Sequence, residues 1–193
     1  MKCQAQTSAC APLSSTVRQR KSMARYAAFL RGVSPQNLRM PTLASALRTA
    51  GFSNIRTLLS SGNAVFETQA KACGPVERLI EESLEKVAGR TFKTFVRSSG
   101  DLTRVVSASR YQHPAGTKRV VVFHRGTTRG IEASAPAPVQ RPSWALLSTS
   151  ANEIFGFYTP GPDASSLMSY LKRLYGDEFT TRTAETVLKC SAA

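Results

Sequence analysis

The feature that most constrains the fold is an order of predicted strands and helices that occurs twice along the chain. Short apolar or alternating segments are typical of strands, and longer segments with apolar residues on one face are typical of helices. In the first half, strands are predicted over residues 25–31, 55–59, 64–67 and 91–97, and helices over 40–50 and 75–88. The first half therefore has the order β-α-β-β-α-β.

The second half repeats this order after a connecting helix that begins at Ser99. Strands are predicted over residues 119–124, 144–149, 154–158 and 179–182, with a weak helix over 128–133 and a Pro-rich loop over 136–142. A clear helix lies between Asp163, its predicted N-cap, and Gly176, and a terminal helix is capped by Thr183.

Each β-α-β-β-α-β segment can form one antiparallel sheet with its helices on one face. The sequence thus predicts an α+β fold built as a tandem of two ferredoxin-like βαββαβ units. The predicted divisions are a disordered N-terminal extension over 1–22, a first unit over 24–98, a helical connector over 99–117, and a second unit with its C-terminal helix over 118–193.

Residues 1–22 carry four basic side chains and no acidic one, and they show no apolar periodicity. Such a segment cannot bury enough apolar surface to offset its conformational entropy, so we expect it to be disordered. Two interpretations remain open. Either Met23 is the true start and the preceding residues are an over-extended reading frame, or the segment is an organelle transit peptide. In both cases we expect the fold to begin near Ala24.

The net charge of +14, from 26 Lys and Arg against 12 Asp and Glu, favours polyanionic partners. The basic residues are scattered rather than clustered, so nucleic acid is an alternative partner and not the leading one. The segment Phe155–Gly156–Phe157–Tyr158 partly resembles the aromatic core of RNA-recognition domains. Glu153 stands near where that signature has a basic residue, so core packing is the expected role of Phe155 and Phe157.

The cysteines and histidines predict neither a metal site nor a cofactor. The four cysteines include no C-x-x-C pair, and the chain has only two histidines, His113 and His124. We therefore predict reduced thiols and a cytoplasmic protein. No apolar run approaches the roughly 20 residues of a membrane helix, so no membrane partner is expected. The oligomeric state is not determined by the sequence.

No motif identifies a catalytic centre. Ser60–Ser61–Gly62–Asn63 has the residues of a hairpin turn, and no histidine or carboxylate lies nearby in the sequence to activate a serine. Both histidines are expected to be structural or solvated. We therefore expect a binding protein, with an enzyme of unidentified active site as an alternative.

Residues 180–183, where a strand ends and a helix begins, are the best candidate for a binding site. Free backbone N–H groups at a helix start, hydroxyl groups and one guanidinium together favour a small anionic or phosphorylated ligand. The alternative is a capped helix beside a solvated arginine. The predicted ligand-binding residues are Arg31, Ser61, Asn63, Thr181, Arg182 and Thr183.

Several segments together resemble a known bacterial family. They are Phe29–Gly32, Met40–Leu47, Gly51–Phe52, Ile55–Thr57, Ser61–Phe66, Thr181–Arg182 and Thr186–Lys189. In this order they resemble domain of unknown function 1697, whose pattern reads L-R-G-I-N-V-G-G, then R-T-Y-x-x-S-G-N-V-V-F, then T-R-N-W-N-T-V-x-K-L. The resemblance runs from about Ala24 to the C-terminus and implies paired ferredoxin-like units, but no activity.

The chain departs from this pattern in two loops. Val33–Asn37 lacks the paired glycines of the family, and Thr183–Ala184–Glu185 replaces N-W-N. A ligand site built from those two loops would therefore be altered in this chain.

Overall fold

The computed structural model describes residues 23–125 and 138–193. In chain order the described elements are β1 (Ala24–Leu30), α1 (Met40–Thr49), β2 (Ser53–Leu58), β3 (Asn63–Thr68), α2 (Cys73–Ala88), β4 (Thr94–Ser98), α3 (Ser99–Ala108), β5 (Lys118–His124), β6 (Val139–Arg141), β7 (Trp144–Thr149), β8 (Glu153–Tyr158), α4 (Ala164–Tyr175), β9 (Phe179–Thr183) and α5 (Ala184–Ala192).

The first sheet is antiparallel with the order β2-β3-β1-β4, and α1 and α2 cover one of its faces. Both helices form because their apolar residues recur at helical spacing. In α1 the buried residues are Leu43, Ala46 and Leu47, and in α2 they include Ile80 and Leu84. The left-handed conformation of Gly89 then ends α2, as the sequence predicts.

The second sheet is antiparallel with the order β6-β7-β8-β5-β9, and α4 packs on one face through Leu167, Leu171 and Tyr175. Strand β6 lies in the segment predicted as a Pro-rich loop, and it pairs with β7. Asp163 is the N-cap residue of α4, as predicted, although its side chain makes no capping hydrogen bond. The predicted helix over 128–133 lies outside the described residues.

The remaining faces of the two sheets meet in a third core. Because side chains alternate along a strand, Ala28 and Leu30 of β1 face α1 and α2, whereas Phe29 points towards the second half. The ring of Phe29 stacks on that of Phe123 from β5, with centroids 4.5 Å apart. Helices α3 and α5 complete this core, so the two halves share a buried apolar seam.

Ion pairs cross the same seam. Arg97 of β4 donates from Nε to Glu153 of β8 over 2.5 Å, and both side chains are buried. Arg125, just after β5, pairs with Glu77 at 3.0 Å and with Glu81 at 2.7 Å, both in α2. Charged groups that are removed from water are tolerated when they pair in this way.

The prediction of an α+β fold is confirmed, with two antiparallel sheets. The interpretation of each half as a ferredoxin-like unit, and the boundaries at 24–98, 99–117 and 118–193, stay predictions, and residues 1–22 lie outside the described chain. No helix among the described residues is long and apolar enough to cross a membrane.

The cysteines that the structure describes are both free thiols. Cys73 is partly buried, and Cys190 of α5 is buried. Burial raises the pKa of the Cys190 thiol to about 11, although nearby Arg182 opposes the shift. Cys190 is therefore a protonated core residue near neutral pH. In residues 23–125 and 138–193, no three His, Cys, Asp or Glu side chains cluster as metal ligands would.

Candidate functional site

A cleft of about 360 Å³ lies between α4, β9, the start of α5 and the turn that joins β2 to β3. Its polar lining residues, Ser61, Tyr158, Thr181, Arg182, Thr183 and Thr186, are called the polar wall, and its apolar lining residues, Val120, Ala164, Leu167 and Met168, are called the apolar wall. A cleft with one polar and one apolar wall can hold a small amphipathic molecule.

The polar wall forms where β9 runs directly into α5. Strand β9 is an edge strand that pairs only with β5, so its end is free to turn into the helix. Thr183 is the N-cap of α5, and its hydroxyl accepts a hydrogen bond from the N–H of Thr186 over 3.3 Å. The hydroxyl groups of these two threonines lie 3.1 Å apart. The predicted cap is therefore confirmed, and it uses one of the free N–H groups at the helix start.

Arg182 is the central residue of this wall. Its Nε donates to Oδ1 of Asn63 over 2.5 Å, and its Nη2 donates to the carbonyl oxygens of Leu30 and Ser61 over 2.6 and 2.9 Å. Its Nη1 donates within β9, to the Thr180 hydroxyl and to the preceding carbonyl. A guanidinium has five N–H donors, so all of them are engaged. Arg182 thus holds the turn of the first half against β9 of the second.

The charge of Arg182 has no carboxylate partner. None of the ion pairs between described residues includes Arg182, whereas Arg31, Arg97, Arg104, Arg119 and Arg125 each pair with an acid. Burial lowers the pKa of Arg182 to about 10, so the side chain is still charged at neutral pH. The side chain is only partly exposed, and every acceptor it contacts is neutral. It therefore gives the cleft a positive charge that the described residues do not neutralise.

Asn63 holds both the turn between β2 and β3 and the guanidinium of Arg182 in place. It is fully buried, and its Nδ2 donates to the carbonyl of Leu58 over 3.1 Å and to the hydroxyl of Ser61 over 3.0 Å. Gly62 lies between Ser61 and Asn63 and has a φ of +74°. A Cβ at Gly62 would lie 2.7 Å from a methyl group of Val33. The turn therefore requires glycine, and Asn63 fixes both the turn and the guanidinium.

Arg31 lies apart from the cleft. Its Nη1 donates to the carbonyl of Phe179 over 2.9 Å, its Nη2 lies 3.4 Å from Asp177, and its guanidinium stacks over the Phe179 ring at 4.1 Å. These contacts join the end of β1 to the second half. Arg31 therefore has a structural role in this arrangement, with its charge already paired.

The structure thus brings four of the six predicted residues together, namely Ser61, Thr181, Arg182 and Thr183. Asn63 contacts the site through Arg182, and Arg31 does not line it. The alternative of a solvated Arg182 is wrong, because its guanidinium is enclosed by acceptors from both halves. Sequence reasoning also missed the apolar wall, although the sequence held a signal: Met168 is an apolar residue outside the helical spacing of Leu167, Leu171 and Tyr175, which α4 buries, and it is 39% exposed.

The comparisons with known proteins identify the family. The model of a family described as protein of unknown function (DUF1697) matches residues 23–142, well over half of the chain. The chain belongs to the DUF1697 family. The match covers Ser61 and Asn63, while Arg182 and α4 lie beyond it. A comparison with curated proteins gives no match.

One solved structure has the same fold as this DUF1697 protein. It is that of SP0830, described as a conserved bacterial protein from Streptococcus pneumoniae, with a TM-score of 0.62 at 19% sequence identity. The likeness covers 89% of this chain and 98% of that chain. At this identity it shows the fold alone.

Three segments that resemble the DUF1697 pattern meet at Arg182. Leu30 precedes Arg31–Gly32, Ser61–Gly62–Asn63 forms the turn, and Thr181–Arg182 ends β9. The first two segments belong to the first half and Thr181–Arg182 belongs to the second, so the three meet where the two halves pack together. Where the family pattern has Asn after this arginine, the chain has Thr183, and both residue types are good N-caps.

Proposed function

We propose that this protein is a non-catalytic cytoplasmic protein that binds a small anionic or phosphorylated ligand in the cleft beside Arg182. The observation that carries the proposal is the uncompensated positive charge of Arg182 on a wall that also presents hydroxyl groups. At a separation of about 6 Å and an effective dielectric constant of about 20, a unit anion gains roughly 3 kcal/mol from such a charge. Water and salt in the open cleft reduce this value, so we expect about a tenfold effect on affinity.

Binding has more support than catalysis because of the residues that line the cleft. Among the described lining residues there is no histidine, carboxylate, lysine or cysteine. The hydroxyl of Ser61 accepts a hydrogen bond from Asn63 and has no base beside it. The histidines lie elsewhere, with His124 against Tyr175 and His113 against Thr117. A nucleophile without a base is a poor catalyst, so an enzyme remains the weaker alternative.

Nucleic acid binding also has less support than small-anion binding. In ferredoxin-like RNA-binding domains the open sheet face stacks the bases. In this protein the corresponding faces pack against each other and against α3 and α5, and Phe155 is buried there. A Cβ on Gly156 would lie 2.1 Å from the carbonyl oxygen of Ala145, so this glycine is explained by close strand packing. The net charge of +14 still makes RNA and DNA worth testing.

A larger cavity is less suited to an anion. It measures about 700 Å³ and lies between β7 and α4. Arg141, Arg173 and Asp163 line it, so its net charge is also +1, but the Asp163 carboxylate would repel a negative ligand. None of the residues predicted to bind an anion lines it, and the cleft beside Arg182 is therefore the site we propose.

We also propose that the two halves are ferredoxin-like units in tandem. The sheet order β2-β3-β1-β4 of the first half has a counterpart in the order β7-β8-β5-β9 of the second, to which β6 adds an edge strand. The helices α2 and α4 precede the last strand of each set. This correspondence supports a boundary within residues 99–117.

Calorimetric titration with inorganic phosphate, sulfate and adenosine monophosphate tests the function. We expect the protein to bind at least one of them, and Arg182→Gln to weaken binding about tenfold. The matched control is Arg48→Gln, which removes an exposed positive charge of α1 that does not line the cleft. Because Arg182→Gln also loses contacts across the seam, Thr181→Val provides a second variant that keeps the backbone carbonyl bonded to Arg182.

Two results would contradict the proposal. One is an absence of binding heat with all three anions, and also with acetate and hexanoate, at millimolar concentration, and the other is an equal loss of affinity in Arg182→Gln and Arg48→Gln. Electrophoretic mobility of mixed RNA and DNA at two salt concentrations tests the alternative, because phosphate contacts give a steep dependence on salt.

A further inference from the structure

We infer that the ligand of this cleft is a small organic monocarboxylate with an apolar body, an inference that rests on the anion-binding function proposed above. The charge, the hydrogen-bond donors, the apolar wall and the size of the cleft each favour this class over phosphate esters and inorganic anions.

The charge of the cleft matches a single negative charge. Arg182 is the one charged side chain among the described residues that line it. A phosphate monoester carries a charge of about −1.5 to −2 near neutral pH. Neutralising it takes more than one cation or a set of free N–H donors, whereas a carboxylate carries one charge. One arginine therefore neutralises a carboxylate, whereas a phosphate ester beside it would keep part of its negative charge uncompensated.

The donors that remain free in the cleft are too few for phosphate. All five N–H groups of Arg182 are engaged with neutral acceptors, so the guanidinium offers no pair of donors for a bidentate contact. The N–H of Thr186 is taken by the Thr183 hydroxyl. What the wall offers is hydroxyl groups, including those of Ser61 and Tyr158. Two or three hydroxyl donors suit the two oxygens of a carboxylate.

The apolar wall of the cleft favours an apolar partner. Val120 and Leu167 are buried behind this lining, whereas Met168 is 39% exposed, so the Met168 side chain is the apolar surface that a ligand would cover. An inorganic ion would leave this surface in water, whereas an aliphatic or aromatic body would cover it. Methionine adapts to irregular apolar shapes and makes favourable contacts with aromatic rings. The wall therefore selects ligands that carry hydrocarbon next to the charge.

The size of the cleft limits that hydrocarbon. Its volume of about 360 Å³ stands near the lower end of ligand pockets, which span about 300–1,000 Å³. A short acid fills such a space better than a nucleotide. The combined features point to a monocarboxylic acid with a short aliphatic chain or a single ring.

Calorimetric titration with five probes separates the possibilities: acetate, hexanoate, hexanamide, hexyl phosphate and inorganic phosphate. We expect hexanoate to bind at least tenfold more tightly than acetate, because the longer chain covers the apolar wall. We expect hexanamide, which has the same body without the charge, to bind at least tenfold more weakly than hexanoate. We expect both phosphate probes to bind more weakly than hexanoate.

Met168→Gln tests the apolar wall directly and should weaken hexanoate binding severalfold while leaving acetate unchanged. The matched control is Leu79→Gln on α2, which exchanges a similarly exposed apolar residue, 40% exposed, that does not line the cleft. Both positions are at the surface, so both variants are expected to fold.

The outcomes distinguish this inference from the function on which it rests. Tighter binding of hexyl phosphate or inorganic phosphate than of hexanoate would overturn the carboxylate inference and leave anion binding in place. Equal effects of Met168→Gln and Leu79→Gln would also overturn it. Binding of none of the four anions, or equal binding of hexanamide and hexanoate, would overturn both.

Discussion

His124 makes the stability of the folded protein sensitive to mild acid. It ends β5, is 7% exposed, and its ring lies 4.6 Å from that of Tyr175. Burial is the main reason that its pKa falls from 6.5 to about 4, and the nearby guanidinium of Arg97 adds to the shift while the Glu153 carboxylate opposes it. Between pH 6.5 and about 4, therefore, the unfolded chain binds a proton at His124 and the folded protein does not.

The size and direction of the effect follow from this difference in pKa. Well above pH 6.5 the imidazole is neutral in both states, so its contribution to stability is fully present. As the pH falls from 6.5 to about 4, the unfolded chain becomes protonated first and stability is lost. One pKa unit corresponds to about 1.4 kcal/mol, so the total loss is about 3 kcal/mol, most of it present by about pH 4.5.

Urea unfolding of wild type and His124→Phe, at about pH 7.5 and about pH 4.5, measures this contribution. Phe preserves the ring contact with Tyr175 and removes the proton acceptor, so the wild type should lose roughly 2 to 3 kcal/mol more than the variant on acidification. His113→Phe is the matched control and should lose as much as the wild type. Equal losses in the wild type and His124→Phe would refute the reasoning.

Three further changes test the packing. Arg97→Met alone should cost about 2–3 kcal/mol in urea unfolding because the buried Glu153 loses its closest cation and keeps only the Ser150 hydroxyl and Arg104 at 3.8 Å, whereas Arg97→Met with Glu153→Leu should restore most of the loss; a single variant within about 1 kcal/mol of wild type would contradict this. Gly156→Ala should cost about 1–3 kcal/mol in thermal unfolding because its Cβ meets a carbonyl oxygen of β7 at 2.1 Å, while Gly74→Ala in α2, with nothing within 4 Å, should be neutral or stabilising. Thr183→Ala should cost about 1 kcal/mol through loss of the α5 cap, and Thr183→Asn should restore it; equal stability of these two variants would argue against the cap.

Most strands and helices could be predicted because their signals are local. The apolar spacing of α2 and its stop at Gly89 depend on neighbouring residues alone, and the predicted strand over 144–149 has the bounds of β7. Strand β6 was missed because its three residues follow a proline-rich stretch and have no strand pattern of their own. Its backbone pairs with β7, and this contact from outside the segment makes it a strand.

The candidate site was predictable only in part, for the same reason. The turn at Ser61 and the cap at Thr183 are local features, and the sequence showed both. The burial of Arg182 depends on acceptors in Leu30, Ser61 and Asn63, which are 119 to 152 residues away along the chain. An arginine in a short strand before a helix has the same local pattern whether it is solvated or enclosed.

The position of the cleft on the seam links ligand binding to the docking of the two halves. Arg182 is held by Leu30, Ser61 and Asn63 from one side and by Thr180 and Thr181 from the other, so Ser61 joins the polar wall and Arg182 keeps these contacts only when the halves are joined. A ligand that binds this joined state, and not the unfolded chain, stabilises it by about 2.7 kcal/mol at a concentration 100 times its dissociation constant. That gain is of the same order as the cost expected for losing one partner of the buried Arg97–Glu153 pair. Occupation of the cleft should therefore offset part of the stability lost in an Arg97 variant, since both contacts oppose separation of the same two sheets.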